Sequence, residues 1–172
     1  MNKVQKETHA KIKKAFEHLQ SGDTKKAEKL FDEIYDKNTE VQALVAYHHG
    51  QLAERRIDYA KAMLKYREAA TLEPDNPDYL LSAGKIARTL GSYKEAQEWL
   101  ESLLQLRQQE GDDTVELATA QYELAELYRR QDKYEKAELL YKRSLAIREK
   151  FLGKDHPDVA AILNNLANVY SE

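Results

Sequence analysis

The chain of 172 residues contains no cysteine. That removes disulfides, thiolate nucleophiles and Cys-ligated zinc together, and it fits a reducing compartment. Long apolar runs are missing as well. No stretch approaches the roughly 18 consecutive apolar residues of a spanning helix, and the charged segment Met1 to Lys14 lacks the apolar centre of a signal peptide. This pattern, with a third of the residues charged, argues against a membrane protein, and a cytoplasmic location is expected. Neither sign of charge dominates: 27 Lys and Arg stand against 30 Asp and Glu, for a net charge of −3. Without a basic field to hold a phosphate backbone, nucleic acid is not an expected partner. Helix breakers are scarce, with 3 prolines and 6 glycines among abundant Ala, Leu, Glu, Lys and Arg. Such a composition belongs to helices joined by short turns.

What the sequence does contain is an internal repeat. Gly22-Asp23-Thr24-Lys25-Lys26-Ala27, Ile57-Asp58-Tyr59-Ala60-Lys61-Ala62, Gly91-Ser92-Tyr93-Lys94-Glu95-Ala96 and Asp132-Lys133-Tyr134-Glu135-Lys136-Ala137 share one pattern, a turn followed by a helix start. The closing alanines are 35, 34 and 41 residues apart, and four positions after each comes a large side chain: Phe31, Tyr66, Leu100 and Tyr141. Seven residues before each turn position stands a small residue, Ala15, Gly50, Gly84 or Ala125. A small residue on one helix facing the alanine of the next, flanked by Leu, Tyr or Phe, is what two closely packed antiparallel helices require. The spacing therefore predicts helical hairpins over Thr8 to Asn38, Ala43 to Pro74, Pro77 to Glu110 and Ala118 to Phe151, with Asp158 to Tyr170 as the first helix of a fifth. In repeat terms these are residues 8–42, 43–76, 77–117 and 118–159, then a half repeat over 160–172, in one uninterrupted array across 1–172. A lone hairpin cannot bury its apolar face, so stability has to come from stacked neighbours.

The period near 34 residues, with Pro74, Gly84, Ala87, Gly91, Tyr93 and Ala96 at their expected places, resembles the tetratricopeptide repeat. The last third, with Leu124-Ala125-Glu126-Leu127-Tyr128, Tyr141-Lys142-Arg143-Ser144-Leu145, His156-Pro157-Asp158-Val159-Ala160 and Leu163-Asn164-Asn165-Leu166-Ala167, is similar to the longer-period subtype typified by kinesin light chain. The resemblance implies an all-α fold, a right-handed superhelical solenoid of antiparallel hairpins whose first helices line a concave groove that binds peptides. The carboxylate clamp of the 34-residue class, built from lysine, asparagine and arginine, is absent: Ile12, Phe16, His48, Asp78 and Ser82 occupy the matching positions.

On each first helix one stripe serves the core, and a second stripe is left for the groove. Its residues are expected to be Tyr47 and Gln51; Leu81, Lys85, Arg88 and Thr89; Tyr122, Glu126, Arg129 and Arg130; and Asn164, Asn165 and Asn168. Asparagine offers both donors and an acceptor to an extended backbone, while Arg and Tyr add charge and rigid contact area. The expected ligand is a segment of another protein, with acidic side chains. The chain stops at Tyr170-Ser171-Glu172, where the turn of a fifth repeat would begin, so Ile162, Leu163, Leu166 and Val169 are expected to leave apolar surface uncovered. The array is then expected to continue in a longer chain, ahead of two alternatives: the last helix is itself a tolerated cap, or two chains cover each other's ends as a homodimer through Leu163 and Leu166.

No reaction chemistry stands out. His9, His18, His48, His49 and His156 have no partners at metal-ligand spacing, and His48 and His49 fit a core or groove-rim role. Asp112-Asp113 after Gly111 lacks the alternating oxygen ligands and closing glutamate of a calcium loop, and it fits a helix start. There is no phosphate-cradling glycine loop, no His-Glu-x-x-His and no nucleophile elbow. No cofactor, metal or catalytic activity is expected. A peptide-binding adaptor comes first, ahead of a self-association element or the sensor region of a larger enzyme.

Overall fold

In the computed structural model, which describes residues 3–34, 39–111 and 113–171, the four repeated segments form one and the same turn. Gly22, Ile57, Gly91 and Asp132 all adopt the left-handed conformation, at φ of 81°, 62°, 78° and 57°. The amide of the next residue donates to a carbonyl five positions back: Asp23 to His18 at 2.8 Å, and Asp58 to Ala53, Ser92 to Ala87 and Lys133 to Tyr128 at 2.9 Å each. This bond closes the preceding helix and satisfies a carbonyl the helix would otherwise leave unpaired. Asp23 and Asp58 then cap the following helix, accepting from the amides of Lys26 at 3.2 Å and Lys61 at 3.1 Å. Ser92 and Lys133 make no side-chain cap, so the left-handed turn is the shared device and the cap is an addition.

The turns separate α1 (Lys3–Gln20) from α2 (Thr24–Asp32), α3 (Thr39–Arg55) from α4 (Tyr59–Leu72), α5 (Pro77–Thr89) from α6 (Tyr93–Glu110), and α7 (Val115–Arg129) from α8 (Tyr134–Leu152), with α9 (Pro157–Tyr170) last. No strand occurs among the described residues, and no helix there is long and apolar enough to cross a membrane. Asn38 and Asp112, expected at a hairpin end and a helix start, lie outside the described residues, as does the side chain of His9. α7 begins at Val115 rather than Ala118 because Thr114 Oγ1 accepts from the Leu117 amide at 3.1 Å and caps the helix earlier. Between α4 and α5, Asn76 Oδ1 accepts from the amides of Asp78 at 3.2 Å and Tyr79 at 3.4 Å, with Pro77 opening the helix where no amide proton is needed. His156 is a cap as well: its Nδ1 accepts from the Asp158 amide at 3.2 Å ahead of Pro157.

The chain divides into two compact units, Met1–Tyr79 and Leu80–Glu172. In the first, Ala15, Ala27, Phe31, Ala62 and Tyr66 are buried, and the α1–α2 core gathers Ile12, Leu19, Phe31, Ile34 and Leu52. Gly50 lies against the Tyr66 ring so closely that an added Cβ would sit 2.6 Å from two ring carbons. In the second unit the same relation holds between Gly84 and Leu100, again at 2.6 Å. The small residue of each of these two first helices thus makes room for the large side chain four positions after the alanine. Burying a side chain of that size contributes roughly 1.5–3 kcal/mol. The second unit also carries an ion pair that fixes α9: Arg148, buried on α8, reaches Asp158 at 2.6 Å and lies 5.4 Å over the Tyr122 ring.

Candidate peptide-binding groove

In the second unit, α5, α7 and α9 bring six of the expected groove residues into one polar network. Glu126, at the buried centre, accepts from Arg129 at 3.1 Å, from Asn165 Nδ2 at 2.8 Å and from the Tyr141 hydroxyl, and it lies 3.9 Å from Arg88. Asn165 Nδ2 also reaches the Tyr122 hydroxyl at 3.1 Å. Arg88 makes its shortest contact, 2.9 Å, with Glu123, and Lys85 approaches the same carboxylate at 3.8 Å. The Arg88 guanidinium also donates to the Glu123 carbonyl oxygen at 3.5 Å. Lys85, Arg88, Tyr122, Glu126, Arg129 and Asn165 are therefore assembled as neighbours.

Burying a carboxylate costs several kcal/mol unless its oxygens are paired. Burial pushes Glu126 upward, but the hydrogen bonds from Arg129 and Tyr141 and the charge of Arg88 outweigh it and hold the carboxyl below its ordinary value of 4.5. Glu126 in turn raises Arg129 through their hydrogen bond. The Tyr141 hydroxyl is driven well above the usual phenol range, first by burial and then by Glu126. Burial and Glu126 also raise Tyr122. The centre is thus a fixed ion pair, while its rim stays accessible: the Lys85 side chain is 51% exposed and that of Arg129 32%. Arg130, Asn164 and Asn168 are exposed beside it in sequence, Thr89 is exposed with its hydroxyl donating to the Lys85 carbonyl at 3.0 Å, and Leu81 is half-buried.

Tyr47 and Gln51 belong to the first unit, and both are half-buried. The Tyr47 ring lies 4.9 Å from Tyr79 and 5.7 Å from Tyr66, and Gln51 Oε1 accepts from His48 Nδ1 at 2.9 Å. His48 is buried, stacked on Phe31 at 5.4 Å with Phe16 edge-on at 4.2 Å, and burial lowers its pKa. The expectation for the last helix requires correction. Leu166 is buried together with Ile162 and Val169, one helical stripe packed inward, so it offers nothing to a second copy. Leu163, one position off that stripe, is 48% exposed, and the other large apolar side chain exposed on α9 is Tyr170.

Three members of the network escape the sequence pattern. Glu123 reads as an ordinary helical glutamate, though it stands three residues before Glu126 on the same face. Tyr141 is legible as a packing residue, but not as a donor to Glu126. Nothing local marks Arg148 as buried. Among the described residues no three metal-ligating side chains cluster.

Tetratricopeptide repeat profiles match residues 12–77, 78–150 and 116–172. The chain belongs to the tetratricopeptide repeat family. Among solved structures, BtubC (BKLC) from P. vanneervenii aligns with a TM-score of 0.78 at 22% identity, covering 91% of this chain and 69% of that one. A putative kinesin light chain with nearly identical TPR-like repeats from Podosopora anserina gives 0.76 at 18% identity, over 99% of this chain and 88% of that one. The Arabidopsis OM64 TPR domain gives 0.61 at 14% identity, over 76% and 98%. At these identities the likeness speaks for the fold, an all-α arrangement of helical hairpins. Tetratricopeptide repeats are protein–protein interaction modules, a scaffold fold rather than a catalytic one.

Proposed function

We propose that this tetratricopeptide array captures an extended, acidic segment of a partner protein along α5, α7 and α9, as the interaction part of a larger adaptor or regulatory protein. The observation that carries this is the network around Glu126. Three cations, Lys85, Arg88 and Arg129, meet only two carboxylates, Glu123 and Glu126, which leaves one positive charge at a partly exposed surface. Packing alone would be served as well by apolar residues, since buried ion pairs add little stability over them. Their use here fits a surface that selects its ligand by charge and geometry. Asn164 and Asn168, exposed on α9, suit the alternating N–H and C=O groups of an extended backbone.

The test is selection of a randomised peptide library on the whole chain, followed by fluorescence anisotropy with the enriched sequences. Acidic segments should be enriched, and the double variant Lys85→Glu, Arg130→Glu should bind them roughly tenfold or more weakly through loss and reversal of charge-assisted contacts. Enrichment without acidic bias, or equal binding by the double variant, overturns the proposal.

A further inference from the structure

The first unit holds a second recess, on the side of α3 away from Tyr47 and Gln51. It has a volume of about 560 Å³, within the roughly 300–1,000 Å³ typical of ligand pockets. At about 100° per residue, Gln42, Val45, Ala46 and His49 share one face of α3, and Tyr47 and Gln51 lie on the opposite one. The floor is apolar, made by Phe31, Ile34, Val45 and Ala46, while α2 and α4 supply the charged walls.

One buried group in its wall is without a hydrogen-bond partner. His49 is buried, and its Nε2 has no hydrogen-bond partner. The nearest acidic group, Asp32 Oδ1, is 3.7 Å away, too far for a bond, and the Asp32 side chain is 66% exposed at the mouth. The other charges on the wall are engaged: Glu28 holds Lys61 at 3.0 Å and Arg56 at 2.6 Å, and Lys65 holds Glu68 at 2.7 Å. With Glu28 held by Lys61 and Arg56 and Glu68 by Lys65, Asp32 is the one carboxylate among the lining side chains that no described lysine or arginine meets. Burial keeps the imidazole neutral, the effect of Asp32 and Glu28 being set against that of Lys65 and Lys61. A buried polar atom left without a partner costs free energy that a ligand donor would recover.

We infer that this recess is a second binding site, which takes an arginine side chain of a partner protein with its stem on the apolar floor. The guanidinium carries several donors in a rigid plane, so it can pair with Asp32 and, with a small turn of the imidazole that brings the buried Nε2 to the recess, donate to His49 as well, fixing the imidazole as its Nδ1–H tautomer. A lysine ammonium lacks that planar reach, and an acidic side chain would meet Asp32. The site is separate from the groove around Glu126 and prefers the opposite charge, so the two can fail independently.

The test uses the full chain and labelled peptides with one central arginine between leucines, compared with the same peptides carrying citrulline, which keeps the shape and removes the charge. The arginine peptide should bind, shifting amide resonances of α2, α3 and α4, and citrulline should weaken it roughly tenfold, as loss of a charge-assisted pair does. Asp32→Asn, at an exposed position that should leave folding intact, should weaken it similarly, while Asn164→Ala with Asn168→Ala should leave it unchanged. His49→Phe should abolish binding by filling the recess, with helical circular dichroism confirming the fold. Equal binding of the citrulline peptide, an unaffected Asp32→Asn variant, or resonance shifts confined to α5, α7 and α9 would each overturn the inference.

Discussion

Ile57 occupies a position where the equivalent turns use glycine twice and aspartate once, and its φ of 62° is one that a β-branched side chain rarely adopts. Its side chain is 73% exposed, so Ile57→Gly removes little buried area. The turn bonds, from the Ile57 amide to Glu54 and from the Asp58 amide to Ala53, both 2.9 Å, involve only backbone and survive the change. Relief of the left-handed conformation is worth about 1–2 kcal/mol. The greater freedom of glycine in the unfolded chain takes back about 0.5–1 kcal/mol. Ile57→Gly should therefore stabilise the first unit by about 0.5–1 kcal/mol. Urea unfolding followed by helical circular dichroism measures this, with amide exchange of α3 and α4 to localise the gain, since two units need not unfold together. The converse, Gly91→Ile, meets no atom within 4 Å of an added Cβ and by the same two backbone effects should lose about 0.5–1 kcal/mol. If Ile57→Gly lowers the midpoint, or Gly91→Ile leaves it unchanged, the left-handed turn carries no such penalty and the reasoning fails.

Gly50→Ala places a carbon 2.6 Å from the Tyr66 ring and should cost about 1–3 kcal/mol in urea unfolding. His48 and His49 are both pushed below 6.5 by burial, so the unfolded chain takes up protons first: stability should be full above pH 6.5 and fall as the pH drops through the folded values, and His48→Phe should flatten that slope in thermal melts between pH 7 and pH 5. Glu126→Gln removes the charge that Arg129 and Arg88 face and should cost about 1–3 kcal/mol at neutral pH. Because Glu126 is held below 4.5, its contribution is present above that value and lost as acid titrates it, so wild type and variant should converge in stability at low pH.

The hairpins were legible because their determinants are local. A left-handed turn, an alanine four residues before a large side chain and a small residue seven residues before the turn all fall within one repeat, and each acts through turn geometry or packing within a single hairpin. The candidate groove was legible only in outline. Helical offset finds Lys85, Arg88, Tyr122, Glu126, Arg129 and Asn165 as residues on one kind of face, but it does not show which of them are spent on one another. That is settled by tertiary distances, such as the 2.9 Å between Arg88 and Glu123. The same offset did not reveal that Tyr47 finds Tyr79 and Tyr66 as ring partners, and it misjudged Leu166, whose stripe with Ile162 and Val169 turns inward while Leu163 does not. The pairing has a consequence for binding. An acidic segment approaching Arg129 competes with Glu126, a carboxylate already oriented and desolvated, and gains little by displacing it. Affinity for such a segment should then come from the rim, Lys85, Arg130, Asn164 and Asn168, while the pairs around Glu126 hold the first helices in the register that makes the rim a single surface.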